Sequence, residues 1–317
     1  MVEIGYALSS EEHPAPDLVR YARDAEESGF TYASISDHFH PWTDRQGESS
    51  FVWSVLGGIA QATTSLAVGT GVTCPIARYS PPIVAQAAAT LATMMPGRFF
   101  LGVGTGEALN EHITGQPWPP HSVRSSMLEE AVELIRALWH GEMVCERGTY
   151  FTVENARVYS LPEEPPQIIV AAGGSTMAEL AARIGDGLIN FAPDRSIVDA
   201  YREAGGTGPT YVQYNVCWAE DEQRARKTAL DICPTVALEG ELGQFLPYPV
   251  HFEAATAKLT EDDIAEVIVC GPDPERHCEG LQKCIDAGFD HIHVDQVGPD
   301  QEGFFAFYQS EVLPQFS

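Results

Sequence analysis

The sequence predicts a single (β/α)8 TIM barrel of the α/β class over residues 1–317, and three observations carry that expectation. Short apolar, β-rich runs alternate with helical patterns eight times along the chain, where a doubly wound open sheet would stop earlier. The length of 317 residues suits a barrel enlarged by insertions. No composition shift, repeat or Pro/Gly-rich linker divides the chain, because its 22 prolines are spread among loops.

The strands are predicted at 2–8, 31–36, 66–72, 98–104, 167–172, 187–192, 210–218 and 291–297. Each is a short apolar, β-rich run. Helices are predicted between and after them at 16–28, 51–64, 80–95, 122–139, 175–185, 196–204, 220–230, 273–287 and 301–315, where apolar residues recur at helical spacing. Three surplus segments, near 107–121, 141–166 and 231–260, exceed the length of ordinary strand–helix connections and are predicted as insertions. The first and third follow the fourth and seventh strands, on the face where barrels keep their chemistry.

Bulk charge excludes several classes of function. The chain carries 18 basic and 45 acidic residues, a net charge of −27, and only Lys227, Lys258 and Lys283 are lysines. Nucleic acid and anionic membrane are therefore excluded as partners, and a small-molecule substrate is expected. Unpaired acids with so little lysine predict a halophilic protein rather than a thermophilic one, since salt screens self-repulsion. No apolar run approaches a membrane span. The chain enters its first strand with no basic and apolar leader ahead of it, which predicts a cytoplasmic location. The seven cysteines never show C-x-x-C spacing and are expected as reduced thiols.

In such a barrel, polar residues at strand C-termini are the functional candidates. The second strand ends in Ser36-Asp37-His38-Phe39-His40-Pro41-Trp42: His38 suits a general base oriented by Asp37 or another neighbour, and Trp42 offers a wall beside a flat ring. The third ends in Gly69-Thr70-Gly71-Val72-Thr73, whose glycines predict a bulge or the close approach of a planar cofactor. The fourth runs into Gly102-Val103-Gly104-Thr105-Gly106-Glu107-Ala108-Leu109-Asn110-Glu111. Its G-x-G-x-G spacing is not a dinucleotide fingerprint, but it delivers Glu107, expected to face His38 across a ring-sized gap as the second proton-transfer group. The fifth leads through Ala171-Ala172-Gly173-Gly174 to Ser175, read as a helix cap and a backbone anion site. His291 and His293 share one face of the last strand, without a third residue at metal-ligand spacing, so no metal is expected. Covalent hydrolysis motifs are absent.

Together these strings, with Gly185-Asp186-Gly187, resemble the coenzyme F420-dependent oxidoreductases of the luciferase-like barrel superfamily, and within them the glucose-6-phosphate dehydrogenase group. The resemblance covers most of the chain and is weakest over 190–260. It implies a homodimer that binds coenzyme F420 at the strand C-termini for hydride transfer at deazaflavin C5. It further implies His38 as the base on the substrate hydroxyl, Glu107 at the deazaflavin edge and Trp42 as pocket wall. Asp37, Gly71, Val72, Thr105, Gly106, Asn110, Gly173 and Gly174 are implied as cofactor-binding, with a non-prolyl cis peptide at Gly71-Val72 behind the ring. Asp194 and Glu266 stand where sugar-phosphate members carry lysines, which points away from glucose 6-phosphate toward an alcohol, another sugar or a carbonyl compound. Two alternatives stay open: an FMN-dependent monooxygenase on the same barrel, and a non-catalytic cofactor-binding barrel.

Overall fold

The computed structural model describes residues 2–238 and 240–316. Eight parallel strands close into a barrel: β1 (Glu3–Leu8), β2 (Tyr32–Ile35), β3 (Ala67–Thr70), β4 (Phe99–Val103), β7 (Gln167–Ala171), β8 (Gly187–Asn190), β9 (Thr210–Cys217) and β11 (His291–Gln296). Each pairs with the next in that order, and β11 pairs back onto β1 through Glu3↔His291 to Tyr6↔Val294. All eight coincide with predicted strands. Two further features were not predicted. The segment 141–166 contains an antiparallel hairpin, β5 (Val144–Arg147) with β6 (Thr152–Ala156), whose exposed polar residues give no alternation to read. The two-residue β10 (Val269–Cys270) pairs with Val216 and Cys217 of β9 beyond the point where β8 ends.

The outer ring is formed by α1 (Ala15–Ser28), α2 (Val52–Ala62), α3 (Pro81–Met94), α5 (His121–Trp139), α6 (Ser175–Ile184), α7 (Arg195–Glu203), α8 (Glu222–Ile232), α12 (Pro274–Asp286) and α13 (Gln301–Phe307). Each buries one face inward, as α1 does with Leu18, Tyr21, Ala22 and Ala25, and α1 stops at Gly29 in the left-handed conformation (φ 97°). The first insertion holds the short α4 (Ala108–Glu111), and the third holds α9 (Leu242–Phe245) and α10 (Pro249–Thr256), with α11 (Glu261–Ala265) just after it.

The lower half of the barrel is plugged. Tyr32, Phe100, Ile169, Ile189 and Tyr211 form one buried layer inside it. The glycines beside them make room for the rings: a Cβ at Gly5 would stand 2.5 Å from the Tyr32 ring, and one at Gly69 would collide with Phe100. Gly69 therefore serves packing rather than the approach of a cofactor. Above this layer the barrel opens.

Candidate active site

A cavity of about 1270 Å³ occupies the C-terminal mouth of the barrel. The residues singled out from the sequence, namely Asp37, His38, Trp42, Gly71, Val72, Thr105, Gly106, Glu107, Asn110, Gly173 and Gly174, all line it. One wall is low and uncharged. Gly71-Val72 is joined by a cis peptide, and a Cβ at Gly104 would meet Val72 Cγ2 at 2.8 Å, so side-chain-free backbone is needed for β4 to lie against it.

His38 is the centre of the opposite side. Its Nδ1 lies 3.2 Å from Glu11 Oε1 and 3.2 Å from the His40 carbonyl, while Nε2 lies 3.5 Å from Glu107 Oε2. Two acceptors at Nδ1 hold its proton there and leave Nε2 as the basic atom. The neighbour that orients the ring is Glu11, on the loop after β1, and not Asp37. The Asp37 carboxylate instead accepts from Arg78 Nη2 at 2.9 Å, Thr73 Oγ1 at 2.7 Å and Tyr79 OH at 3.2 Å. Nor do His38 and Glu107 face each other across a ring-sized gap: β2 and β4 both flank β3, and their ends bring the two side chains almost into contact.

The Glu107 side chain keeps 31% of its surface open to the cavity, yet barrel walls surround it, and this burial raises its carboxyl above the usual range against the pull of His38 and of Asn110. Asn110 ties the two loops together: its Nδ2 donates to Glu107 Oε2 at 3.2 Å, and its Oδ1 accepts from the backbone N–H groups of Phe39 and His40 at 2.9 and 3.2 Å. Trp42 stands 5.0 Å from the His38 ring and edge-on to Phe252 of the third insertion at 5.2 Å. Arg78 also clamps Glu111, which accepts its backbone N–H at 2.7 Å. Burial raises Glu111 to about 7, with Arg78 pulling the other way.

Beyond β7, Gly173 and Gly174 have nothing within 4 Å of where a Cβ would stand. Ser175 is the first helical residue rather than the cap. Gly174 holds that position with no side-chain bond to the helix start, so the first N–H groups of α6 face the cavity without a side-chain partner.

Sequence reasoning missed Glu11, Glu12, Arg78, Gln213, Asn215 and Asp295. Two signals were present: Ser9-Ser10-Glu11-Glu12 follows the first strand as Asp37-His38 follows the second, and Asp295 continues the His291, His293 alternation on the last. His293 and Asp295 line the cavity, whereas His291 sits lower, against Asp290 at 2.7 Å and the Tyr211 ring at 4.4 Å.

The model of the luciferase-like monooxygenase family matches residues 1–291, and the chain, a parallel barrel with an imidazole and carboxylates at its mouth, belongs to that family. Within it the chain groups with F420-dependent dehydrogenases. It is 38% identical to an F420-dependent hydroxymycolic acid dehydrogenase of Mycobacterium tuberculosis over 98% of this chain and 88% of that protein. It is 34% identical to an F420-dependent glucose-6-phosphate dehydrogenase of Kribbella flavida over 99% and 98% of the two. A solved F420-dependent secondary alcohol dehydrogenase in complex with an F420-acetone adduct superposes with a TM-score of 0.91 at 29% identity, covering 98% of each chain.

Proposed function

We propose that the protein is an F420-dependent dehydrogenase or reductase that interconverts a small secondary alcohol and its carbonyl partner, and that its substrate carries no phosphate. The observation that carries this reading is His38, held between Glu11 and Glu107 beside the low glycine wall. The cavity fits coenzyme F420 on three counts: a flat surface at Gly71, Val72 and Gly104 for the ring, open backbone at Gly173-Gly174, and the uncapped start of α6 for an anionic tail. F420 held there would supply hydride transfer at its deazaflavin C5. His38 Nε2 takes the hydroxyl proton of the alcohol, or returns it to the carbonyl oxygen in the reverse direction. Glu11 stabilises the imidazolium formed. Glu107, with its raised carboxyl, holds or supplies a proton at the cavity edge, and Trp42 with Phe252 closes the wall against water.

The lining argues against a sugar phosphate. Glu11, Glu12, Asp37, Glu107, Glu111 and Asp295 stand in it, whereas Arg183 is its sole Arg or Lys among the described residues and is paired with Glu129 at 2.9 Å. Asp194 caps α7 and Glu266 caps α11, and neither they nor Arg195 and Lys258 line the cavity. A dianion meets repulsion there and no compensating fork of donors. We further propose a homodimer, in keeping with the resemblance, and stability that depends on salt.

Fluorescence titration with F420 and FMN, followed by F420-reduction assays on secondary alcohols and glucose 6-phosphate, tests the reading. F420 binding and turnover of alcohols are expected. FMN binding without F420 binding overturns the cofactor, and glucose 6-phosphate as the best substrate overturns the substrate class.

A further inference from the structure

The cavity floor beside His38 holds three carboxylates with no arginine or lysine among them. Glu11 and Glu12 come from the loop after β1 and Asp295 from β11, and all three line the cavity. Glu11 accepts from Ser36 Oγ at 2.6 Å, and Glu12 accepts from the Gly298 N–H at 2.9 Å. Asp295 Oδ2 accepts from Gln213 Nε2 at 3.0 Å, but its Oδ1 has no partner. Two residues earlier on the same strand face, His293 is 1% exposed, and its Nδ1 also has none.

Elsewhere this chain pairs its buried acids: Asp37 and Glu111 share Arg78. On the floor the acids press on one another instead. Burial and Asp295 raise Glu12 to about 8, and burial and Glu11 raise Asp295 to about 7. His293 adds no positive charge, because burial and His291 lower it to about 3.

We propose that the floor of the cavity binds a cationic nitrogen of the substrate, an ammonium or substituted ammonium group on the same molecule as the reacting alcohol, with Asp295 Oδ1 and Glu12 as its carboxylate partners and the His293 imidazole as a neutral neighbour. The substrate is then an amino alcohol or the corresponding amino ketone. An ammonium offers several N–H donors to acceptors that the protein leaves without a cation, and a buried charge pair is strong when both partners are desolvated and hydrogen-bonded. The inference rests on the dehydrogenase reading for the reacting end of the substrate but not for binding of the cationic end.

Three alcohols of nearly equal size separate the alternatives: 1-amino-2-propanol, 1,2-propanediol and 2-butanol. Calorimetric titration of the whole protein with each, and F420 reduction with each, give independent readouts. Binding and kcat/KM are expected to favour the amine by at least roughly tenfold, the effect of about 1.4 kcal/mol. That preference is expected to shrink to within about threefold in Asp295→Asn, which keeps the shape of the side chain and removes its charge. Should that variant fail to fold, competition by isopropylamine against 1-amino-2-propanol on the unaltered protein reads the same site, and no competition counts against it. Equal binding of the three alcohols, or a preference retained in Asp295→Asn, overturns the cation site and leaves the dehydrogenase reading standing. Tight amine binding without F420 turnover supports the cation site and overturns the dehydrogenase reading.

Discussion

Arg78 is the residue whose loss should be felt most widely, because its guanidinium is 6% exposed and serves two carboxylates that are 1% and 2% exposed. It donates to the Asp37 carbonyl at 2.7 Å and to Asp37 Oδ1 at 2.9 Å, and lies 3.6 Å from Glu111. Arg78→Met keeps most of the side-chain length and removes the charge. Breaking a buried pair by deleting one partner costs ~3–5 kcal/mol, which for a chain of this size is a fall in melting temperature of roughly 5–8 °C. The loss should also depend on pH. Glu111 already stands at about 7 with Arg78 in place, and without it both carboxyls move further up. A group whose folded pKa exceeds its unfolded value contributes stability below that unfolded value and loses it as pH rises through the folded one. The protein and the variant both hold a proton on Glu111 at pH 6, whereas at pH 8 only the variant binds it, so the penalty grows by about 1.4 kcal/mol in all between those two values, nearly all of it above pH 7. Thermal melts of both proteins at pH 6 and pH 8 check this. A fall of less than ~2 °C, or a penalty as large at pH 6 as at pH 8, refutes the assignment of Arg78 as the clamp on both acids.

Three further outcomes are expected. His38→Ala and Glu107→Gln should each lower turnover by roughly 10²–10⁴ with the fold intact, as for a removed proton-transfer group, and a loss below tenfold in both removes them from the chemistry. Gly104→Ala drives a Cβ to 2.8 Å from Val72 Cγ2 and should weaken F420 binding by roughly tenfold through overpacking of the cofactor wall, read by fluorescence titration at a temperature where a thermal melt shows the variant folded. With a net charge of −27, the melting temperature should climb between 0.1 and 1 M KCl, over which the Debye length falls from about 10 to about 3 Å; a flat or falling series counts against the halophilic reading.

The barrel was legible because its eight strands are apolar runs with clear stops, and the period of the pattern is fixed by burial on both faces. The hairpin Val144–Arg147 with Thr152–Ala156 was not: Val153 alone among its residues is fully buried, so no face was written into the sequence. At the mouth, Asp37, His38 and Glu107 were readable as strand-end polar residues, but their partners were not, since contact between the ends of β2 and β4 depends on the curvature of the barrel. Asp37 looked like the natural support of His38 from adjacency alone. Adjacent residues on an extended segment point apart, and the structure gives the support to Glu11, on the neighbouring strand end. Gly69 and Gly71 looked alike in sequence, yet one seats the Phe100 ring in the plug and the other lies in the cavity.

The scarcity of basic residues shapes what the remaining ones do. Lysine makes none of the ion pairs found among the described residues, which all fall to Arg and His. Arginine is placed where one side chain must serve two partners. Arg78 bridges Asp37 and Glu111, and Arg124, fully buried, donates to the Pro119 carbonyl and to Gln244 Oε1 at 2.8 Å each while lying 4.3 Å over the Trp118 ring. That second fork fixes α9 of the third insertion over the cavity that Gln244 helps to line. A planar guanidinium can do this, and a single ammonium cannot. Among the described residues no arginine or lysine but Arg183 lines the cavity, and Arg183 is paired with Glu129 rather than with Glu11, Glu12 or Asp295. A floor assembled this way leaves its acids to be neutralised by protons or by a positive group brought to it, while the anion-accepting backbone stands apart, at Gly173-Gly174 and the start of α6.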